Sequence, residues 1–583
     1  MNNTEHLKAL RHSAEHVLTQ AMLRLYPKIK MAMGPATDEG FYFDFDSRGE
    51  KITEADFPKI EAEMRKIVEK NLPIKKEEIG PEKAQKLFAD NPYKQEWLAG
   101  IRGRQEKTSV YWTGEEFVDL CSGPHVASSG QIGAFKLLSV AGAYWHGDEK
   151  KQMLTRIYGT AFPTQKELDK YLWQIEEAKK RDHRKLGAKL GLWTFSDLVG
   201  AGLPLFTQKG ALVRRLIVQY VEELQSKQGI AQVWTPQIAK AELFKISGHY
   251  DKYQENMFAV KSNYSEEEFF LKPMNCPQHT QIYAAQPRSY RDLPIRMSDF
   301  AMLYRDEKPG ELLGLARVRS FSQDDCHIFC REDQIVEEMN KALDMTHEIM
   351  TAYGFKYRYR LSLRDPKKPE KYIGDAQGWE KSEKLARQIL DTRKVKYFES
   401  IGEAAFYGPK VDLIAQGVLN REWQLSTLQI DFFMPERFKL TYTDQKGQNR
   451  RPVMLHRAIV GSPERLMMIL LEHYAGALPV WLAPIQVAVL PVSDKSLKYG
   501  QKISQKLSKE GIRVDLNDHN ATLGAKIRDA EEQKIPYMLV AGEREAANGR
   551  VNVRVRGQKS LGEKSLTEFT ALIKDDLAKK RQI

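Results

Sequence analysis

Apolar residues recur every three or four positions through LKALRHSAEHVLTQAMLRLY, near the start of the chain, and through GALVRRLIVQYVEELQSKQG further on. That spacing lays a stripe along one face of a helix. Shorter strand-like pieces separate them: GFYFDF and GEEFVDLCSGPHV early, then IAQVWTPQI, whose Pro236 suits a sheet edge or an interface. TQKELDKYLWQIEEAKKRDHRKLGAKLG reads as a helical linker between the two regions. From about residue 480, IQVAVLPV, GIRVDL, PYMLVAG and RVNVRVRG alternate with helical segments, which predicts a small α/β domain with a mostly parallel sheet.

One stretch fits neither period. If SFSQDDCHIF is a strand, Arg317, Arg319, Phe321, Gln323, Asp325 and His327 share one face and Val318, Ser320, Ser322, Asp324, Cys326 and Ile328 the other. Neither face is an ordinary core stripe. The segment is either a solvated edge or a strand that carries chemistry.

A chain of 583 residues is too long for one core and predicts about three to four domains. Lysine and arginine (90) outnumber aspartate and glutamate (78), a net charge of +12 that favours an anionic partner such as nucleic acid. Four cysteines, Cys121, Cys276, Cys326 and Cys330, are too few for a disulfide framework and point to a reducing, cytoplasmic setting. MNNTEHLKAL has no apolar signal core, and the most apolar later stretch is broken by Glu472, His473, Pro479 and Pro484, so no membrane anchor is expected.

Two groups of donor residues carry candidate chemistry. His12 and His16 are four apart on the first helix, and Cys121 and His125 repeat that spacing after a strand end. The pairs could converge on a metal or on a water to be activated, with Lys94 and Asp119 adding charge. The second group is Cys276, where a strand breaks at Pro277 into a helix, His327, and His456 on the strand of PVMLHRAIVGSPER. One thiolate and two imidazoles are a tetrahedral zinc set with one position open. Near them DFAMLYRDEKPGELLGLARVRSFSQDD reads as two antiparallel strands and a loop, with Arg305 and Glu307 on one side and Arg317 on the other. Ser462 can cap a helix that starts at Pro463, which puts Arg465 in a first turn where anions are favoured. An arginine fork suits phosphate oxygens, and no glycine-rich loop of the ordinary nucleotide folds is present.

Taken in order, KPMNCPQH, YRDEKPGELLGLARVRSFSQDDCHIF, FYGPKVD, TLQIDF and LHRAIVGSPER resemble the catalytic segments of class II aminoacyl-tRNA synthetases, specifically the threonyl-tRNA synthetases. RHSAEH, DLCSGPH and AGAYWHGD resemble that family's editing domain. The resemblance implies a multidomain α+β fold: an N-terminal α+β editing domain (1–163), a helical linker (164–189), a catalytic domain on an antiparallel sheet (190–478) and an α/β anticodon-binding domain (479–583). It implies one Zn²⁺ held by Cys276, His327 and His456, Mg²⁺ with ATP, Arg305 and Arg465 on the ATP phosphates and Phe321 on adenine. Glu307 and Arg317 join that catalytic set, Gln323 and Asp325 face the amino-acid pocket, and Tyr407, Lys410 and Gln429 line the cleft. His12, His16, Lys94, Asp119, Cys121 and His125 form an editing site, and Asn520, Glu545 and Arg554 read the anticodon. The implied partners are threonine tRNA, ATP and L-threonine. A second copy of the chain is expected to pair through the segment around GALVRRLIVQYVEELQSKQGIAQVWTPQI, where an amphipathic helix leads into a Pro236 strand unsuited to a sheet centre.

The chain departs from the family at Gln278 and Ser320, where glycine is usual, and at Cys326, where a small residue is usual. It also starts at the editing domain, without the small ubiquitin-like module of usual bacterial members. Two rival readings are weaker: intact Arg305, Arg465, Cys276, His327 and His456 argue against an RNA-binding regulator or deacylase built from synthetase parts, and another class II specificity would leave the zinc set without a purpose. The basic run Lys179, Lys180, Arg181, Arg184 and Lys185 reads as a solvated helix face.

Overall fold

The computed structural model describes residues 3–104, 106–418, 421–557 and 560–582. They form two compact units, one up to Glu177 and one from Ala178 onward.

In the first unit Leu10, Ala14, Val17, Leu18 and Ala21 fall on one stripe of the helix Asn3–Leu25 and are buried with Phe41, Phe43 and Phe45. These phenylalanines stand on Phe41–Asp46, part of an antiparallel sheet ordered Lys30–Met33, Phe41–Asp46, Met153–Phe162, Ala134–Tyr144. A second, three-stranded sheet ends in Phe117–Leu120, so Cys121 leaves a strand end as expected.

The second unit is built on eight strands in the order Ala231–Gln232, Ile295–Asp299, Asp325–Cys330, Val453–Ala458, Glu422–Asp431, Lys410–Gln416, Lys356–Leu363, Tyr397–Ile401. All pairings are antiparallel except the two at the sheet edges. Ile328, Leu455, Leu428 and Ile430 belong to the main core, with residues of the helices Gln208–Lys227, Ile335–Ala352 and Pro463–His473. Register then sets the opposite face: His327 opposes His456, His456 opposes Gln429, and Gln429 opposes Lys410. Four candidate residues from four segments thus form one cross-strand row.

Three expectations are corrected. SFSQDDCHIF is two strands: Ser320–Ser322 pairs with Met302–Tyr304 in a separate two-stranded sheet, and Asp325–Cys330 joins the large one. The break is at Asp324, whose N–H bonds to Gly461 O at 2.9 Å while its carboxylate accepts from Ile459 N–H (2.7 Å), Val460 N–H (3.2 Å) and Gln225 Nε2 (2.9 Å). IAQVWTPQI is likewise split into Ala231–Gln232 and Ile238–Lys240, which lie in different sheets. The C-terminal sheet is mixed. Val514–Leu516, Val487–Pro491 and Tyr537–Ala541 are parallel, but Arg550–Val555 and Ser560–Ser565 add antiparallel. The helix Glu543–Asn548 is too short for the crossover that a parallel neighbour needs.

Asp324→Ala is expected to destabilise the second unit by about 3–5 kcal/mol, because it strands two amides and leaves the buried Arg457, 3.8 Å away, uncompensated. Denaturant unfolding of both proteins checks this; an unchanged midpoint would refute it.

Candidate active sites

A cavity of about 310 Å³ in the second unit is lined by Arg305, Glu307, Arg317, Phe321, Gln323 and Arg465, six of the expected catalytic residues. Arg305 lies over the Phe321 ring at 5.1 Å, and its Nε is buried without a hydrogen-bond partner. Arg317 pairs with Glu307 (3.2 Å) and Glu311 (3.0 Å). Ser462 Oγ accepts from Arg465 N–H at 3.4 Å and Pro463 opens the helix, as the local sequence predicts. Arg465 Nε and Nη2 both donate to Ala316 O, at 3.2 and 3.1 Å. Three guanidinium groups around one cavity favour a polyanion.

Asp325, Tyr407 and Gln429 gather instead around the second donor group; burial lowers the pKa of the neighbouring Arg305, against the opposing pull of Tyr253, Glu307, Asp325 and Tyr407. The donor atoms of Cys276, His327 and His456 lie within 4.8 Å of one another, and all three residues are buried. His327 Nε2 and His456 Nδ1 are 3.1 Å apart; two nitrogens on one tetrahedral zinc, at ~2.0–2.1 Å each, would be about 3.3 Å apart. The outer nitrogens have partners of their own: His456 Nε2 is 3.0 Å from Asp431 Oδ2, and His327 Nδ1 is 2.8 Å from His279 Nδ1. A buried thiol and two imidazoles oriented in this way fit a metal ion. Tyr407 stacks on His456 at 4.5 Å and its hydroxyl donates to Gln429 Oε1; Asp325 Oδ1 is 3.5 Å from His327 Nε2. Lys410 ends the row, 3.7 Å from Asp412.

Sequence reasoning missed Asp431, His279 and His249, whose Nε2 is 3.4 Å from Cys276 Sγ. Two had a signal: Asp431 is two residues beyond Gln429 on a strand, and His279 three beyond Cys276 on a helix. The residues that depart from the resemblance are accommodated. Gln278 is buried and donates to Pro236 O at 3.0 Å, Ser320 opposes Tyr304 in the small sheet, and Cys326 belongs to the apolar core.

In the first unit a cavity of about 500 Å³ is lined by His12, His16, Lys94, Asp119 and Cys121. Cys121 Sγ is 3.3 Å from His12 Nε2 and 3.2 Å from His125 Nε2, although 109 residues separate it from His12. Ser13 Oγ, 3.1 Å from His125 Nδ1, orients that ring. Burial lowers His12 to about 4, so the imidazole is neutral near pH 7, and raises the Cys121 thiol to about 12, so it stays protonated. Lys94 Nζ pairs with Asp119 at 2.5 Å, both buried. Glu15, three residues beyond His12 on the same helix, was missed; its Oε2 is 3.8 Å from His12 and 3.9 Å from His16. The arrangement offers neutral bases, a fixed cation and no thiolate, a set suited to activating water.

The third expected group is more dispersed. Asn520 is exposed in the loop before Leu523–Glu532, Glu545 accepts from Gly542 N–H at 3.0 Å as part of a helix cap, and Arg554 opposes Met538 in the sheet. In the basic run Arg181 is not simply solvated: it donates to the carbonyls of Glu472 (3.3 Å) and His473 (2.9 Å).

Residues 258–474 match the tRNA synthetase class II core domain (G, H, P, S and T), 486–576 the anticodon binding domain, and 108–158 the threonyl and alanyl tRNA synthetase second additional domain. A threonine–tRNA ligase of Rubrobacter xylanophilus is 48% identical over 583 residues, all of this chain and 90% of that protein. One of Thermotoga petrophila is 46% identical over 98% of this chain and 88% of its own. Among solved structures, the RNA binding domain of threonyl-tRNA synthetase from Cryptosporidium parvum superposes with a TM-score of 0.64 at 38% identity, covering 68% of this chain and 98% of that one.

Proposed function

The chain belongs to the threonine–tRNA ligases, and from that premise we propose how its residues divide the work. The enzyme joins threonine to its tRNA at the expense of ATP, and its second additional domain accords with editing of the product. The observation that carries the catalytic assignment is the buried Cys276, His327 and His456 group beside an arginine-lined cavity.

In the first step the threonine carboxylate attacks the ATP α-phosphate and pyrophosphate leaves, which demands alignment and positive charge more than a covalent nucleophile. Arg305 and Arg465 hold the phosphates with Mg²⁺, Phe321 lies against adenine, and Glu307 and Arg317 keep the cavity wall in place. Gln323, Asp325, Tyr407, Lys410 and Gln429 orient the amino acid. Zinc, when held by Cys276, His327 and His456, supplies an open coordination position that rewards an amino and a hydroxyl group together. Isosteric valine lacks the hydroxyl and is rejected at this step. A tRNA hydroxyl then attacks the adenylate carbonyl and AMP leaves.

Serine keeps both polar groups and lacks one methyl, a difference worth about 1–3 kcal/mol, or roughly 10–200-fold. Hydrolysis of seryl-tRNA at the cavity of His12, His16, Lys94, Asp119, Cys121 and His125 supplies the remaining discrimination. Pyrophosphate exchange across amino acids tests the assignment. Threonine, and more weakly serine, should sustain it; comparable exchange with valine would overturn the metal filter.

Asn520, Glu545 and Arg554 read the anticodon. Arg554→Ala is expected to weaken charging of threonine tRNA about tenfold, the effect of one lost base contact, while exchange is spared; equal loss of both would refute the separation. The domains divide at 163, 189 and 478. Two copies pair through the segment around Pro236, where Trp234 is 74% exposed and Ile238 46% exposed beside an edge strand. A monomeric mass at micromolar concentration would count against that pairing. Four free cysteines accord with a cytoplasmic setting, and no helix among the described residues is long and apolar enough to cross a membrane.

A further inference from the structure

The wall of the nucleotide cavity is held from behind by the linker. Leu313–Arg317 is a tight hairpin: Leu313 N–H bonds to Arg317 O at 3.2 Å, Arg317 N–H to Leu313 O at 3.3 Å, and Ala316 N–H to Leu313 O at 2.8 Å. Leu315, Ala316 and Arg317 line the cavity. The N–H of the buried Leu315 has its acceptor outside the hairpin, in Nε2 of His183 at 3.2 Å. His183 is itself buried, at the start of the helix His183–Lys189, and its Nδ1 is 2.8 Å from Glu472 Oε1. A ring nitrogen that accepts from an amide carries no proton, so the proton is on Nδ1 and is donated to Glu472; one neutral tautomer satisfies both contacts.

The hairpin is shaped for this ring. Gly314 has φ +49°, and a Cβ there would stand 2.2 Å from His183 Nε2 and 2.9 Å from Arg184 Cγ. From the cavity side Arg465 donates twice to Ala316 O. Arg465 and Glu472 are seven residues apart on the helix Pro463–His473, two turns along one face. Glu472, His183, the hairpin tip and Arg465 therefore close a ring of contacts around the cavity wall.

We infer that His183, a linker residue that lies outside the cavity, is a positioning residue for ATP. It sets the place of Leu315–Arg317 and, through Ala316 O, of the Arg465 guanidinium. The inference rests on the reading of this cavity as the ATP site. Two substitutions separate its contacts: His183→Asn keeps a donor for Glu472 but cannot reach Leu315 N–H, and His183→Gln places an oxygen where Nε2 stood.

In pyrophosphate exchange by the full chain, His183→Asn is expected to raise the KM for ATP about tenfold, as losing one buried hydrogen bond would. His183→Gln should stay within about threefold of wild type, since it restores that bond. The KM for threonine and the hydrolysis of seryl-tRNA should hold in both. A role confined to stability would lower the melting temperature of both variants without moving the KM for ATP. An unchanged KM in His183→Asn, or equal damage in both variants, overturns the inference. Should His183→Asn fail to fold, Gly314→Ala carries the same test, because its methyl must push the ring off Leu315 while every side chain of the cavity stays. Arg465→Ala is the reference: if it leaves the KM for ATP unchanged, the ATP reading itself fails. If it raises that KM and His183→Asn does not, only the role of His183 fails.

Discussion

His327→Ala should abolish threonine-dependent pyrophosphate exchange and release the bound metal together. The ring stands at the centre of the donor group: Nε2 faces His456 at 3.1 Å, Nδ1 faces His279 at 2.8 Å, and Cys276 completes the set. Changes to outer-shell partners of a metal typically cost 10–100-fold, so removal of a ligand should lower kcat/KM for threonine by roughly 10³-fold or more. Metal content by elemental analysis and exchange kinetics are the two readings, and hydrolysis of seryl-tRNA by the same preparation shows that the rest of the chain is folded. Retention of metal and exchange would sink the assignment. Asp431→Ala should fall in the milder class for metal binding, since Oδ2 touches the outer nitrogen of His456 and no other donor residue. Oδ1 accepts from the N–H groups of Phe433 (2.7 Å) and Met434 (2.9 Å), so some loss of stability should accompany it.

The second large effect is expected at the other cavity. Cys121→Ala or His12→Ala should leave threonine activation within about twofold of wild type while hydrolysis of preformed seryl-tRNA falls roughly 10²-fold or more, the usual contribution of a positioned proton donor or acceptor. Each variant should then accumulate serine on threonine tRNA, but not valine, because the proposed metal filter would still demand a hydroxyl. The pH profile gives an independent check. A base works unprotonated, and burial lowers His12 to about 4, so hydrolysis should be level from neutrality to about pH 5 and fall only as pH approaches 4. A decline centred near pH 6.5 would mean that His12 titrates as an exposed histidine and is not the base. Unchanged hydrolysis in both variants would leave the His12, His16, Cys121 and His125 group a purely structural one.

What could be read without the fold was local and chemical. The first helix and its buried stripe follow from the 3.6-residue period, the cap at Ser462 from its neighbours, and the donor types at Cys276, His327 and His456 from residue identity. Each depends on residues within a few positions of one another. The order and match of whole segments placed the chain in its family, and the comparisons bear that out.

Only the tertiary structure decided which donors meet and what holds them. The row His327, His456, Gln429 and Lys410 exists because four strands pair in one register, and a slip of one residue would turn a strand's candidates to the other face. SFSQDDCHIF looked like one strand because alternation is blind to hydrogen-bond partners; Asp324 breaks it by binding the backbone of Ile459 and Val460, 135 and 136 residues away. Arg181 reads as part of a solvated basic run and His183 only as a position in the helical linker, yet they dock on the end of a helix and the tip of a hairpin far along the chain. Local propensity and residue chemistry are written into a few neighbouring positions, whereas register and long-range contacts are set by the packing of the whole unit.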